Sequence, residues 1–275
     1  MAEMMKGNEA IAEAAIRAGA RFYAGYPITP SSEIMEYLSW RMNEVGGAFV
    51  QAESELAGIN MVIGASSCGV RALTASSGPG ISLKQEGIST LCDEGLPAVV
   101  ITQVRYGNGL GTLFTSQCDY HRETRGGGQG DYRCIVLCPS SIQEFVDLML
   151  PAYELAEKYR IVTIMMGEGT LGQMMEPVEL PDFVEPKRTP WALNGHYTYK
   201  KIGIFERDSM AEAVELRAKY AEIKENEQRW EEEDIADADY VFVAYGVPGR
   251  ATLGAVRELR AAGEKVGLIR PITAW

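Results

Sequence analysis

The sequence predicts an α/β fold in which a mostly parallel sheet carries helices on both faces. Several short apolar runs lack the polar alternation of a half-exposed strand, as in AVVITQ at 98–103 and CIVLC at 134–138. Such runs are followed by segments whose apolar residues recur at helical spacing. Strands of this kind are buried on both faces, which is typical of a parallel sheet between two layers of helices.

Strands and helices alternate through the first 180 residues. The predicted strands are 20–25, 48–51, 71–75, 98–103, 134–138 and 161–166, and the predicted helices are 8–18, 31–43, 54–63, one that begins at 82, and 142–158. Ser31 and Ser32 are predicted to cap the second helix, with Glu33 in its first turn. Gly64 is predicted to end the third helix.

The composition changes after Pro181. An irregular linker and a charged helix are expected first, then one strand–helix–strand unit; these segments are 181–199, about 210–233, 240–245, 249–262 and 265–270. Two parallel strands do not make a stable sheet, so we expect this unit to be truncated or completed by a partner chain. The predicted division is a first domain at 1–180, a linker and charged helix at 181–235, and the start of a second, smaller α/β domain at 236–275.

Composition narrows the classes of partner and site. The 275 residues carry a net charge of −12, which argues against nucleic acid and anionic membranes as partners. Five cysteines without regular spacing do not form a disulfide framework, and with two histidines we expect no metal site made by this chain alone. No run of 18 apolar residues occurs, so we expect no membrane span and place the chain in the cytoplasm.

Common nucleotide and hydrolase motifs are missing from the expected positions. The first strand is not followed by G-x-G-x-x-G, and neither a G-K-[ST] phosphate loop nor a nucleophile elbow is present. A glycine-rich segment at 106–133 instead interrupts the pattern of strands and helices. A segment of this length in a compact domain is usually functional or mobile.

Glu55 stands out at a predicted strand–helix junction, and two further residues, Thr29 and Arg105, enter through the resemblance given below; each of the three has a plainer alternative. Glu55 lies in the first turn of a helix among apolar residues; the alternative is a contact with its own helix dipole, which suits Glu53 better. Thr29 lies between two prolines in YPITPSS at 26–32, and its alternative is an ordinary turn residue. Arg105 follows an apolar strand, and its alternative is a salt bridge at the strand end.

Several motifs resemble one family of enzymes in their order along the chain. Glu55 followed by Gly64-Ala65 resembles the pyrimidine-binding domain of thiamine-diphosphate enzymes. The motifs similar to the 2-oxoacid:ferredoxin oxidoreductases are YPITPSS at 26–32, ASSGPGISL at 75–83, R-x-G-x-G-L-G-T at 105–112, TSQCDY at 115–120 and RGGGQGDYR at 125–133. GEGTLGQMMEPVELP at 167–181 resembles the 2-ketoisovalerate:ferredoxin oxidoreductase subunit that carries the pyrimidine domain.

This resemblance implies an activity and roles for individual residues. The activity is the coenzyme A-dependent oxidative decarboxylation of a 2-oxoacid, with reduction of ferredoxin. A branched-chain substrate is favoured; pyruvate or 2-oxoglutarate is the first alternative, and a non-catalytic scaffold or nucleotide-binding subunit is the second. Glu55 would hydrogen-bond N1′ of the aminopyrimidine, and Thr29 and Arg105 would bind the substrate. The residues expected to contact the cofactor are Tyr26, Pro27, Ile28, Glu55, Ser77 and Gly78.

The resemblance also implies that other chains complete the site. The sequence lacks the Gly-Asp-Gly motif that holds the diphosphate and Mg²⁺, and it lacks clustered cysteines for iron–sulfur clusters. We therefore expect a diphosphate-binding subunit with that motif, a ferredoxin-like iron–sulfur subunit, and ferredoxin as partners. This chain is expected to form a dimer within the hetero-oligomer and to be inactive alone.

Overall fold

The computed structural model describes residues 2–185, 189–193 and 209–275. Its strands are β1 (Glu3–Lys6), β2 (Phe22–Gly25), β3 (Ala48–Gln51), β4 (Ala72–Ser76), β5 (Ala98–Val104), β6 (Ile135–Leu137), β7 (Val162–Glu168), β8 (Met175–Val178), β9 (Trp230–Glu233), β10 (Tyr240–Val243) and β11 (Val266–Pro271). Its helices are α1 (Gly7–Arg17), α2 (Ser32–Glu44), α3 (Glu55–Ser67), α4 (Gly78–Asp93), α5 (Tyr120–Arg125), α6 (Ile142–Asp147), α7 (Met149–Tyr159), α8 (Gly169–Gln173), α9 (Ser209–Asn226) and α10 (Gly246–Ala261).

The main sheet has six strands in the order β3-β2-β4-β5-β7-β6, and every neighbouring pair is parallel. All seven residues of β5 and all seven of β7 are buried, so helices or loops cover both faces at the centre. The apolar runs without alternation are thereby explained, and the predicted α/β fold with a mostly parallel sheet is confirmed.

Several predicted helix boundaries were wrong. Gly64 lies inside α3, which continues past it to Ser67. The helix predicted from residue 82 begins at Gly78, with a proline in its first turn. The predicted helix at 142–158 is divided at Leu148 into α6 and α7. Ser31 is the N-cap residue of α2, but its hydroxyl donates to the Ile28 carbonyl oxygen instead of capping the helix.

The C-terminal unit has a strand that the sequence did not predict. The charged helix expected at 210–233 ends at Asn226, and Trp230–Glu233 forms β9 instead. β11 pairs with β10 in parallel and with β9 in antiparallel fashion, which gives a three-stranded sheet. Val256, Val266 and Leu268 form its small core. The domain boundaries at 180 and 235 stay a prediction, and the predicted linker lies partly outside the described residues.

The C-terminal unit contacts the main sheet at two places. Residues 272–275 run antiparallel along β6, where the backbone N–H groups of Val136 and Cys138 donate to residues 275 and 272 at 2.7 Å each. Glu168, at the end of β7, accepts hydrogen bonds from the Gln117 amide at 2.6 Å and from the Val247 backbone at 3.2 Å. Both contacts join segments that are more than 50 residues apart in sequence.

Two further observations concern the described residues as a whole. Within residues 2–185, 189–193 and 209–275, no helix is long and apolar enough to cross a membrane. The same ranges contain no group of three or more His, Cys, Asp or Glu side chains arranged as a metal site.

Candidate active site

The predicted site residues lie at one edge of the main sheet. Strands β3, β2, β4 and β5 are parallel neighbours, so their carboxyl ends meet there. Residues 26–29 follow β2, Glu55 follows β3, Ser77 and Gly78 follow β4, and Arg105 follows β5. Ligands of open parallel sheets bind at this kind of edge, which makes it the candidate site.

Glu55 is the first residue of α3 and is 6% exposed. The hydroxyl of Ser54 caps this helix by accepting a hydrogen bond from the Ala57 backbone at 3.2 Å. The Glu55 carboxyl lies against the start of α4, since a Cβ atom on Gly80 would be 2.6 Å from its Oε1. Glu53 is exposed and precedes the helix, and Glu55 is the acidic residue of the first turn.

A buried lysine lies beside Glu55. The Lys84 side chain extends from α4 and is fully buried. Its ammonium donates to Thr74 Oγ1 at 3.0 Å and to the Glu55 carbonyl oxygen at 3.4 Å. Burial lowers its pKa to about 8, and the negative charge of Glu55 acts in the opposite direction.

Sequence reasoning missed Lys84, although a signal was available. Ile81, Lys84 and Ile88 are spaced at three and four residues, so all three lie on one face of α4. Both isoleucines are fully buried. A lysine on an apolar helix face must find polar partners in the interior or lose its charge.

Arg105 and Thr29 are brought together by backbone contacts. The Nη1 of Arg105 donates to the Thr29 carbonyl oxygen at 2.7 Å, and its Nη2 donates to that of Leu110 at 2.6 Å. Arg105 is buried, while the Thr29 side chain is exposed. Since these bonds use one N–H on each terminal nitrogen, the guanidinium keeps further donors for a ligand.

Hydrogen bonds to the Pro30 carbonyl oxygen anchor the turn that contains Thr29. The Pro30 carbonyl oxygen accepts from the Asn8 amide at 2.7 Å and from the Gln173 amide at 3.1 Å. Tyr26, at the beginning of the turn, is 41% exposed. The exposed end of the turn is therefore held by hydrogen bonds from the buried Asn8 and the exposed Gln173.

Gly78 joins the site to a second arginine. Its φ is +45°, in the left-handed region that favours glycine, and a Cβ atom would lie 3.2 Å from the Arg105 Nε. The Gly78 carbonyl oxygen accepts from the Nη1 of Arg122 at 2.9 Å. Arg122 also forms an ion pair with the buried Glu123 at 2.8 Å. Arg122 lies in the glycine-rich segment, and sequence reasoning did not single it out.

Three polar atoms at this edge lack a hydrogen-bond partner among the described residues. They are the hydroxyl oxygens of Ser76 and Ser77 and the Nε of Arg105, and all are buried. Buried polar atoms are nearly always paired, with ordered water or a ligand where protein groups are absent. The edge therefore offers polar groups for a bound molecule.

Two clefts with volumes of about 600 and 460 Å³ lie elsewhere, next to α9. Arg133 and Tyr220 line the first, and Cys92 and Tyr220 line the second. Glu55, Thr29 and Arg105 line neither cleft. The candidate site is therefore identified by its polar contacts and not by the size of a cavity.

Comparison with known proteins decides the family. The model of the family described as pyruvate flavodoxin/ferredoxin oxidoreductase, thiamine-diphosphate-binding, matches residues 13–239. The chain belongs to this family. The match includes all the predicted site residues.

Relatives in the pyruvate flavodoxin/ferredoxin oxidoreductase family match nearly the whole chain. The ketoisovalerate oxidoreductase subunit VorB of Methanothermobacter marburgensis is 49% identical over 280 residues, which cover 99% of this chain and 80% of VorB. The 2-oxoglutarate synthase subunit KorA of Methanocaldococcus jannaschii is 39% identical over 306 residues, which cover 99% of this chain and 82% of KorA.

Solved structures confirm the fold of the family. The 2-oxoglutarate:ferredoxin oxidoreductase from Magnetococcus marinus, solved with 2-oxoglutarate, coenzyme A and succinyl-CoA bound, has a TM-score of 0.87 and 25% identity. The similarity covers all of this chain and 54% of that one. A split-gene transketolase is similar in fold alone, with a TM-score of 0.52 and 11% identity.

The residues at the sheet edge fit a bound thiamine diphosphate, the cofactor of this family. Glu55 supplies a buried carboxyl, whose Oε1 packs so closely against Gly80 that a Cβ atom there would lie 2.6 Å away. Ser76 and Ser77 supply the unpaired hydroxyls for the polar groups of a heterocycle.

Proposed function

We propose that this chain is a subunit of a 2-oxoacid:ferredoxin oxidoreductase that acts on a branched-chain 2-oxoacid such as 2-ketoisovalerate. The reaction is the coenzyme A-dependent oxidative decarboxylation to an acyl-CoA and CO₂, with the electrons passed to ferredoxin. The 49% identity to VorB over 99% of the chain carries this proposal. The meeting of Glu55, Thr29 and Arg105 at one sheet edge supports it.

Glu55 is the catalytic residue of the proposal. Its buried carboxyl would bind N1′ of the aminopyrimidine and hold or release a proton at that nitrogen. When bound, thiamine diphosphate supplies the nucleophilic carbon and the electron sink for decarboxylation. The residues assigned to the surrounding cofactor site are Tyr26, Pro27, Ile28, Ser77 and Gly78.

Arg105 and Thr29 would bind the 2-oxoacid. The guanidinium of Arg105 retains N–H donors beyond those that the Thr29 and Leu110 carbonyls accept, and a planar fork of this kind suits a carboxylate. The Thr29 side chain is exposed and would supply a hydroxyl to the substrate.

Partner subunits would complete the site. A subunit with a Gly-Asp-Gly motif would bind the diphosphate and Mg²⁺, and a ferredoxin-like subunit would hold the iron–sulfur clusters that pass electrons to ferredoxin. Large apolar side chains are exposed next to the site residues in sequence, as expected for a surface that another subunit covers: Leu56 45%, Leu83 54%, Leu110 80% and Phe114 75%. We propose a dimer of this chain within a cytoplasmic hetero-oligomer and retain the division into residues 1–180, 181–235 and 236–275.

The second candidate substrate is 2-oxoglutarate, which is favoured by the 39% identity to a 2-oxoglutarate synthase subunit. Its second carboxylate separates it chemically from 2-ketoisovalerate. Pyruvate is the third candidate, and a scaffold or nucleotide-binding role without catalysis is the alternative of a different class.

The test is an assay of the purified complex of this chain with its partner subunits. Methyl viologen reduction with coenzyme A is measured for 2-ketoisovalerate, pyruvate and 2-oxoglutarate, and we expect the largest kcat/KM for 2-ketoisovalerate. Highest activity with 2-oxoglutarate would overturn the proposed substrate. No turnover with any of the three 2-oxoacids would overturn the proposed enzymatic activity. Glu55→Gln should abolish turnover while the complex still assembles.

A further inference from the structure

We propose that Lys84 is a positioning residue for Glu55. Its ammonium holds the Glu55 backbone against β4 and compensates the charge of the Glu55 carboxylate with a buried positive charge. This inference rests on the proposed role of Glu55 at the cofactor. The Lys84 ammonium donates to the Glu55 carbonyl oxygen at 3.4 Å and to Thr74 Oγ1 at 3.0 Å. This ammonium thus joins helix α4 to the first residue of α3 and to the central strand β4.

A positioning role explains why a lysine occupies this place. Thr74 and Lys84 are both fully buried, and burying an ammonium is unfavourable unless its charge is compensated. A methionine would fill the same volume next to Ile81 and Ile88 without that penalty. The lysine therefore does not serve packing alone.

Glu55 is the charged group whose field acts on Lys84. The uncharged Ser76 hydroxyl and the Glu55 carboxyl both lie against Gly80, where a Cβ atom would approach both and lie 2.6 Å from the carboxyl Oε1. An adjacent cation stabilises a buried carboxylate, and a hydrogen bond at the first backbone carbonyl of α3 restricts where that carboxyl lies. Both effects act on the cofactor through Glu55.

The test uses Lys84→Met in the assembled complex, with thiamine diphosphate and Mg²⁺ titrated by calorimetry. We expect the Kd of thiamine diphosphate to rise about tenfold and kcat to fall at least about tenfold, on the order of what one pKa unit or one charge-assisted hydrogen bond supplies. The KM of the 2-oxoacid should change less than about threefold, because Lys84 does not contact the substrate. The melting temperature at pH 7 should not fall.

Three companion variants separate positioning from general stability. Ile81→Val, on the same face of α4, should lower the melting temperature and leave the Kd unchanged. Thr74→Val keeps the charge of Lys84 and removes one acceptor, so it should have a smaller effect than Lys84→Met. In a Glu55→Gln background, Lys84→Met should have no further effect on the Kd, because the two residues act as one unit.

The proposal is overturned if Lys84→Met binds the cofactor as the wild type does, or if its effect persists undiminished in the Glu55→Gln background. A loss of affinity that follows the melting temperature, as in a purely structural variant, also overturns it. Cofactor affinity is measured without turnover. A wild-type complex that binds thiamine diphosphate but oxidises no 2-oxoacid therefore counts against the proposed function and not against the role of Lys84.

Discussion

Replacing Lys84 by methionine should change how the stability of the chain depends on pH. The pKa of this lysine is about 8 in the folded chain, against an ordinary value of 10.5, because the side chain is buried. Between these values the unfolded chain holds a proton that the folded chain does not, so lowering the pH favours unfolding. At about 1.4 kcal/mol per pKa unit, the difference between the two pKa values corresponds to about 3 kcal/mol in the free energy of unfolding.

This penalty is fully present below pH 8 and disappears as the pH rises towards 10.5. Methionine does not titrate, so the wild type should gain about 3 kcal/mol relative to Lys84→Met over that interval. For a chain of this size that is roughly 6 °C in melting temperature. Thermal unfolding of both proteins at pH 7.5, 9 and 10.5 measures the difference, and other groups cancel because both chains carry them.

A difference in stability that stays constant across these pH values would refute the reasoning. It would mean that the ammonium is solvated in the folded chain, contrary to its complete burial. A Lys84→Met variant that gains stability relative to the wild type as the pH rises would reverse the sign of the linkage and refute it as well.

Three further predictions concern single contacts. Arg105→Lys should raise the KM of the 2-oxoacid about tenfold and leave that of coenzyme A nearly unchanged, because an ammonium cannot replace a bidentate fork; steady-state kinetics checks this. Gly80→Ala should abolish thiamine diphosphate binding in calorimetry, since the new Cβ would lie 2.6 Å from the Glu55 carboxyl. Arg270→Ala should lower the free energy of unfolding in urea by about 3 kcal/mol, because its buried guanidinium pairs with Glu144 at 2.8 Å.

Matched controls exist for these variants. Gly254→Ala lies in α10, where a Cβ atom meets nothing within 4 Å, so it should add about 0.5–1 kcal/mol of stability and leave cofactor binding intact. Arg257 pairs with Glu233 at 2.9 Å but is 63% exposed, so Arg257→Ala should change stability little. Equal increases in both KM values for Arg105→Lys would contradict a direct contact with the 2-oxoacid.

The main sheet was predictable because its signal is local. An apolar strand followed by a helix appears within about 30 residues, and the strand at 48–51 was placed correctly. The place of Glu55 at a strand–helix junction followed from the same pattern, whereas Thr29 and Arg105 were expected from the family resemblance. All three lie at one edge because the carboxyl ends of adjacent parallel strands meet there.

The missed elements depend on contacts that local patterns do not contain. β1 pairs with β8 across about 170 residues, and neither strand alternates clearly. β9 contains three consecutive glutamates, whose strand conformation comes from pairing with β11 and not from propensity. Lys84 is a third case, since its partners Thr74 and Glu55 become neighbours only when β4, α3 and α4 pack together.

The pairing of residues 272–275 with β6 affects how the protein tolerates partial unfolding. An outer strand of a sheet presents free N–H and C=O groups that can pair with another molecule and begin aggregation. Here three backbone hydrogen bonds from the C-terminal unit occupy that outer strand. Loosening of the C-terminal unit alone would therefore expose β6 while the main sheet stays folded. The C-terminal unit thus covers the outer strand of the main sheet as well as packing beside it.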